Sequence, residues 1–95
     1  MAKVYVKFLS RFKEAVRKEF VEVSISEGHA IEDVLKHLCD QLGEPLRSLV
    51  FKNGASVAGN IIVFINGRNI ATLNGLKTKL EDGDQIILST PVAGG

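Results

Sequence analysis

Hydrophobic positions along the chain follow two periods. In Lys3-Val4-Tyr5-Val6-Lys7-Phe8-Leu9, Val4, Val6 and Phe8 alternate with polar or amphipathic residues. That spacing predicts a half-buried strand. Glu19 to Ile25 repeats it, with Val21, Val23 and Ile25 inward and Glu22 and Ser24 outward. The polar connector Ser10–Lys18 places Phe12, Ala15 and Val16 at i, i+3 and i+4, a helical turn inside a long hairpin loop. After Glu27-Gly28 the period changes. Ile31, Val34, Leu35, Leu38, Cys39 and Leu42 form the stripe of an amphipathic helix. Glu32 and Asp33 suit its first turn, and Gly43 with Pro45 ends it. His29 and Ala30 stand where Ser, Thr or Asp would cap better.

From 44 to 60 the pattern leaves a helical turn and a strand both open for Leu46, Leu49, Val50 and Phe51, with turns at Asn53-Gly54 and Gly59. Ile61 to Ile65 is an apolar run that ends in Asn66-Gly67, a strong hairpin signal, and a short return strand is expected near Asn69–Ala71. Leu73, Leu76 and Leu80 pack a turn-rich segment; Asp82-Gly83-Asp84 is a tight turn; Gln85–Ser89 is the last strand. The order is strand, strand, helix, strand, strand, strand. One helix covering one face of a mixed sheet of about five strands is an α+β layer arrangement.

The length of 95 residues fits one domain, residues 1–89, with a flexible tail at 90–95. Hydrophobic residues at 45% and charged residues at 24% argue against disorder. A net charge of +1 lacks the basic excess of a nucleic-acid binder. The charge is nonetheless segregated. Residues 1–18 carry six bases against one acid, +5 net, and residues 19–44 carry seven acids against one base, −6 net. Solvated faces explain such a pattern; an acidic stretch that meets a basic partner is the sharper alternative. No apolar run reaches the roughly 20 residues of a membrane span. The start, Met-Ala-Lys-Val-Tyr-Val, has no apolar leader, so a cytoplasmic protein, monomeric when free, is expected.

Catalytic chemistry is poorly supported. One Cys and two His make no metal cluster, and no Gly-rich phosphate loop or nucleophile elbow is present. His29 and His37 read as a helix-start residue and a solvent-facing residue. Cys39 lies on the apolar stripe, the position of a buried, inert thiol. What remains is the terminus, Pro91-Val92-Ala93-Gly94-Gly95, where small residues and a free carboxylate follow the last strand. A frayed end is the plain reading. Ile62 and Phe64 should face away from the helix if Val63 and Ile65 face it, and Ile87 away between Ile86 and Leu88. Those three either lie under another chain segment or form an apolar patch for partners.

Ile65-Asn66-Gly67-Arg68, Leu73-Asn74-Gly75-Leu76, Leu80-Glu81-Asp82-Gly83-Asp84-Gln85-Ile86 and the Pro91–Gly95 ending, in that order, resemble the MoaD/ThiS family of sulfur carriers, most closely its small archaeal members. The resemblance implies the ubiquitin-like β-grasp fold and a protein that is not itself an enzyme. It further implies activation of Gly95 by an adenylating enzyme of MoeB/ThiF type that uses ATP. Sulfide or a persulfide then gives a C-terminal thiocarboxylate, with no permanently bound cofactor. Its role would be the small subunit of molybdopterin synthase beside a large subunit of MoaE type. The alternatives are a ubiquitin-like modifier joined through Gly95 to target lysines, a sulfur donor for tRNA thiolation or thiamin, or a plain interaction module. Gly94 and Gly95 would be the reacting end. Pro91, Val92 and Ala93 would be the inserted tail, whose six residues from Thr90 can reach roughly 20 Å. Two departures from the family pattern are Ser89-Thr90, where an aromatic residue and a second Pro are common, and Ala30, where a capping Thr is usual.

Overall fold

A computed structural model describes residues 2–52, 56–57 and 61–91. β1 (Ala2–Phe8) is followed by α1 (Ser10–Val16), β2 (Phe20–Ile25), α2 (Ile31–Leu42), α3 (Leu46–Val50), β3 (Phe51–Lys52) and β4 (Ser56–Val57). β5 (Ile62–Ile65), β6 (Arg68–Asn69), two short 3₁₀ turns (Ile70–Thr72 and Gly75–Lys77) and β7 (Gln85–Ser89) complete it. Five strands form one mixed sheet in the order β2-β1-β7-β5-β6. The first and last strands, β1 and β7, run parallel at its centre, and the other pairings are antiparallel. β3 and β4 pair separately.

The alternation in β1 and β7 is realised. Val4, Val6, Phe8, Ile86 and Leu88 are buried, and with Val63 and Ile65 they form the inner face of the sheet. α2 lays Ile31, Val34, Leu35, Leu38 and Cys39 into the same core. α1 closes one end of it through Phe12, which has no exposure. Leu46 and Val50 of α3 close another, so the undecided stretch after Pro45 is a single helical turn that runs into β3. The turns expected at Asn53-Gly54 and Gly59 lie outside the described residues.

The start of α2 shows how Ala30 manages without a capping side chain. Its N–H donates to the Asp33 carboxylate at 2.8 Å, half of a capping box. The neighbouring backbone is tied down from outside the helix. Ile31 N–H donates to Thr78 O at 3.0 Å, and Leu80 N–H donates to His29 O at 2.9 Å. Gly43 ends the helix at φ 66°, with its N–H on Cys39 O at 2.8 Å.

The β5–β6 hairpin turns on Asn66 at φ 49° and Gly67 at φ 84°, the double positive φ of the tight hairpin turn. The return strand is Arg68–Asn69, one residue earlier than the spacing suggested. Asn69 ends it because its carboxamide accepts the Ala71 N–H at 2.9 Å and opens a 3₁₀ turn instead. Asn66 also bridges to the Asp82–Asp84 turn. Its Nδ2 donates to Asp84 Oδ1 at 3.0 Å, and its Oδ1 accepts Gln85 N–H at 2.9 Å. Asp84 Oδ2 accepts Glu81 N–H, and Asp82 Oδ1 accepts Lys3 N–H, each at 2.8 Å. These bonds set where β7 enters between β1 and β5.

Candidate functional site

β7 is the strand that carries the chain toward its end, and it lies between β1 and β5. Its last residues are held from two sides. Leu9 N–H donates to Leu88 O at 2.9 Å, and the Ser10 and Ser89 hydroxyls are 3.3 Å apart at the start of α1. Thr90 is buried, and Pro91 is exposed. Val92, Ala93, Gly94 and Gly95 lie outside the described residues. The root of the tail is therefore seated against the globule through Thr90.

The faces of β5 and β7 are as the alternation predicted. Val63, Ile65, Ile86 and Leu88 point into the core, and Ile62, Phe64 and Ile87 lie half-buried on the outer face. Register joins these into a row across the sheet: Phe20 beside Lys7, Lys7 beside Ile87, Ile87 beside Phe64, and Phe64 beside Asn69. Ile62 sits next along, opposite Ser89. Phe20, at 63% exposure, is the most exposed large apolar residue among those described. It went unnoticed in the sequence, although the outward series Ser24, Glu22 leads back to it at period two. Lys3, Tyr5 and Lys7 lie on the same face of β1, so the patch is apolar at the β5–β7 side and cationic beside it. Lys3 is 3.7 Å from Glu22, an exposed pair that holds little energy.

The other titratable groups do not gather into a catalytic arrangement. No group of three or more His, Cys, Asp or Glu suited to a metal ion occurs among the described residues. His37 is exposed and His29 half-buried. Cys39 is fully buried, and burial pushes its thiol up to about 11 from 9.0, with Arg47 opposing and Asp40 and Glu44 reinforcing the rise. At neutral pH it is a protonated, inert thiol. Lys77 is held above its ordinary range by its 2.8 Å hydrogen bond to Glu32, an ion pair that ties the 3₁₀ turn to α2. No helix among the described residues is long and apolar enough to cross a membrane. Among the described residues the arrangement offers an apolar outer sheet face beside the last strand and no nucleophile placed with a base.

Residues 6–95 match the model of the ThiS family. The chain is 30% identical over 90 residues to small archaeal modifier protein 3 of Haloferax volcanii, covering 95% of this chain and 96% of that protein. Among solved structures it is similar to small archaeal modifier protein 1 of Methanosarcina acetivorans, with a TM-score of 0.86 and 36% identity over 100% of this chain and 98% of that one. It is also similar to a protein of Pyrococcus furiosus provisionally described as subunit 1 of a molybdopterin converting factor, with a TM-score of 0.77 and 25% identity over 97% of this chain and 100% of that one. The fold and these similarities agree: the chain belongs to the ThiS family of ubiquitin-like β-grasp proteins, whose members are non-catalytic sulfur carriers and small modifiers.

Proposed function

We propose that this protein is a sulfur carrier whose Gly95 carboxylate is adenylated and then converted to a thiocarboxylate, and that it serves as the small subunit of a molybdopterin synthase. The observation that carries the reading is the position of β7. The strand is locked in the sheet centre, its root is seated through Thr90, and the sequence beyond Pro91 has no side chain larger than Val92. A C-terminal carboxylate has a pKa of about 3.3–3.7 and is an unreactive anion at neutral pH. It must therefore be activated by another protein. Attack of that carboxylate on the α-phosphorus of ATP releases pyrophosphate and leaves an acyl-adenylate. Hydrosulfide then adds to the carbonyl, AMP departs, and Gly95 ends as a thiocarboxylate. Gly94 and Gly95 present no Cβ to the walls of the activating site, which suits a narrow channel. Pro91, Val92 and Ala93 span the distance from the globule to that site. The outer face around Ile62, Phe64 and Ile87 docks the adenylating enzyme of MoeB/ThiF type and the synthase large subunit of MoaE type, with ATP used by the former and no cofactor held here.

The similarity to small archaeal modifiers favours a second reading, in which a target lysine amine attacks the same adenylate and forms an isopeptide bond at Gly95. The two share every step up to the nucleophile. ATP–pyrophosphate exchange with the cognate activating enzyme tests the shared step: deletion of Gly95, or Gly94→Phe, should abolish exchange with an unchanged unfolding midpoint. Undiminished exchange by the truncated chain would sink both readings. Intact mass of the protein from its native cell separates them. Replacement of one oxygen by sulfur marks the carrier, and linkage to other chains through lysine marks the modifier.

A further inference from the structure

Ser10, the first residue of α1, has φ 54°. A Cβ is strained in that conformation, and Gly would take it freely. Such a residue persists only where its surroundings hold it, and its retention points to a use. The surroundings are firm here. Leu9 N–H donates to Leu88 O at 2.9 Å, and Leu9 O accepts Phe12 N–H at 3.1 Å and Lys13 N–H at 3.4 Å. Phe12 and Leu88 have no exposure. Ser10 is thus fixed between the central strand β7 and the buried anchor of α1.

Among the described residues the Ser10 hydroxyl has one partner, the Ser89 hydroxyl at 3.3 Å. The Ser89 hydroxyl donates to Thr90 O at 3.3 Å, so its oxygen is left to accept the Ser10 proton. A relay of two hydroxyls therefore runs from the start of α1 to the last carbonyl before Pro91. That carbonyl lies in the Thr90–Pro91 peptide plane. Thr90 is itself 8% exposed. The Pro91 ring fixes its own φ at about −65°, and the residue before a proline is confined to extended backbone. With the Thr90 carbonyl also held, the course of the chain at Pro91 is dictated by the globule. Gly at position 10 would relieve the strain and lose the relay.

We propose that Ser10 is a positioning residue for the reaction at Gly95: through Ser89 it holds the Thr90 carbonyl and sets the direction in which the chain leaves the globule. The inference rests on the reading that Gly95 is activated by another protein. A tail already aimed loses less conformational freedom on entering the activating site. Once inside, Gly94 and Gly95 are held by the walls of that site, so the chemical step does not depend on Ser10. The relay therefore acts on KM and not on kcat.

ATP–pyrophosphate exchange with the cognate activating enzyme, at varied concentrations of this chain, tests it. Ser10→Gly and Ser89→Ala should each raise the KM for the chain about threefold to tenfold, the range of one net hydrogen bond, with kcat unchanged. The double variant should rise no further, because both changes break one relay. The unfolding midpoint of Ser10→Gly should be equal or higher, since strain is relieved. NMR of the ¹³C-labelled chain reads the relay without the enzyme: the Thr90 carbonyl resonance should move upfield in both variants as its donor is lost or released. Unchanged KM beside an active wild type, additive effects of the two substitutions, or a fall in kcat at constant KM would overturn the proposal. A wild type that supports no exchange overturns the activation of Gly95 and the proposal with it. An active wild type with an unmoved Thr90 resonance in both variants overturns the relay alone.

Discussion

Cys39 and Asn66 show opposite uses of a single side chain. Cys39 has no exposure and sits where α2 meets the core, and the Arg47 guanidinium donates to its carbonyl at 3.2 Å. Because burial lifts the thiol from 9.0 to about 11, the unfolded chain releases the proton first as pH rises. The stabilisation is complete below pH 9.0 and is lost as pH climbs toward about 11. At 1.36 kcal/mol per pKa unit, the stability margin of the wild type over Cys39→Ala should shrink by about 2–3 kcal/mol between mildly alkaline and strongly alkaline solution. Urea unfolding of the two proteins across that range measures it, and the difference between them removes the lysines' own titration. Cys39→Ser should cost about 1–3 kcal/mol at neutral pH by burying a poorly satisfied hydroxyl, while sulfur loading at Gly95 persists. A folded Cys39→Ser protein that carries no sulfur would make the thiol a relay. Asn66 is exposed, and its value lies in geometry. Its positive φ suits Asn or Gly, and its carboxamide joins Asp84 to Gln85. Asn66→Gly keeps the turn and loses only the bridge, about 0.5–1.5 kcal/mol. Asn66→Ala adds the left-handed strain of a Cβ, about 1–2 kcal/mol more. Thermal unfolding that places Asn66→Gly above Asn66→Ala would show that the turn dictates this residue; the reverse order would show that left-handed strain does not.

At the scale of elements, α2 depends on segments far from it in sequence. Asp33 caps its first N–H group, and Thr78 and His29 carry the backbone bonds that fix its entry. Asp33→Ala should cost about 0.5–2 kcal/mol, since it removes both the cap acceptor and a first-turn anion. Asp33→Ser, too short to reach back from the third helical position, should not restore it; equal stability of Asp33→Ala and wild type would place the cap elsewhere. Elements whose signal is local were legible in the chain. The alternation of Val4, Val6 and Phe8, the stripe from Ile31 to Leu42 and the Asn66-Gly67 turn each determine an element within a few residues. The stretch after Pro45 was not, because Leu46, Leu49 and Val50 satisfy a helical turn and a strand equally well over so few positions. The exact return strand was hidden for a different reason: the Asn69 carboxamide competes with the ladder for the backbone, which no periodicity records. The outer-face positions Ile62, Phe64 and Ile87 followed from strand parity. Their partnership with Phe20 across Lys7 depends on the parallel pairing of β1 with β7, a contact between the two ends of the chain.

For the whole molecule, the sheet separates two jobs. Its inner face is consumed by the core, and its outer face keeps large apolar side chains that stabilise the fold only partly. Phe64 is the decisive example. It lies half-buried between Ile87 and Asn69, opposite in facing to Val63 and Ile65 on the same strand. A carboxylate in its place can stay hydrated in the free protein, so Phe64→Asp should lower the unfolding midpoint modestly. Its loss falls on the rim of the fold, away from the buried cluster around Phe8 and Leu88. In a complex the same carboxylate would be desolvated without a partner, which is costly. Aromatic residues at the centre of an interface often account for 2 kcal/mol or more on truncation, about thirtyfold in affinity. Phe64→Asp should therefore weaken binding to the activating enzyme or the synthase large subunit by at least that factor. Val63→Asp is the internal contrast. It places the charge among buried residues and should unfold the protein outright. Calorimetric melting of both variants and titration of Phe64→Asp against each partner test the division together. A collapse of Phe64→Asp to the level of Val63→Asp would mean that the outer face is structural. Normal folding with unchanged affinity for both partners would move the docking surface away from β5, toward the cationic side of β1 at Lys3 and Lys7.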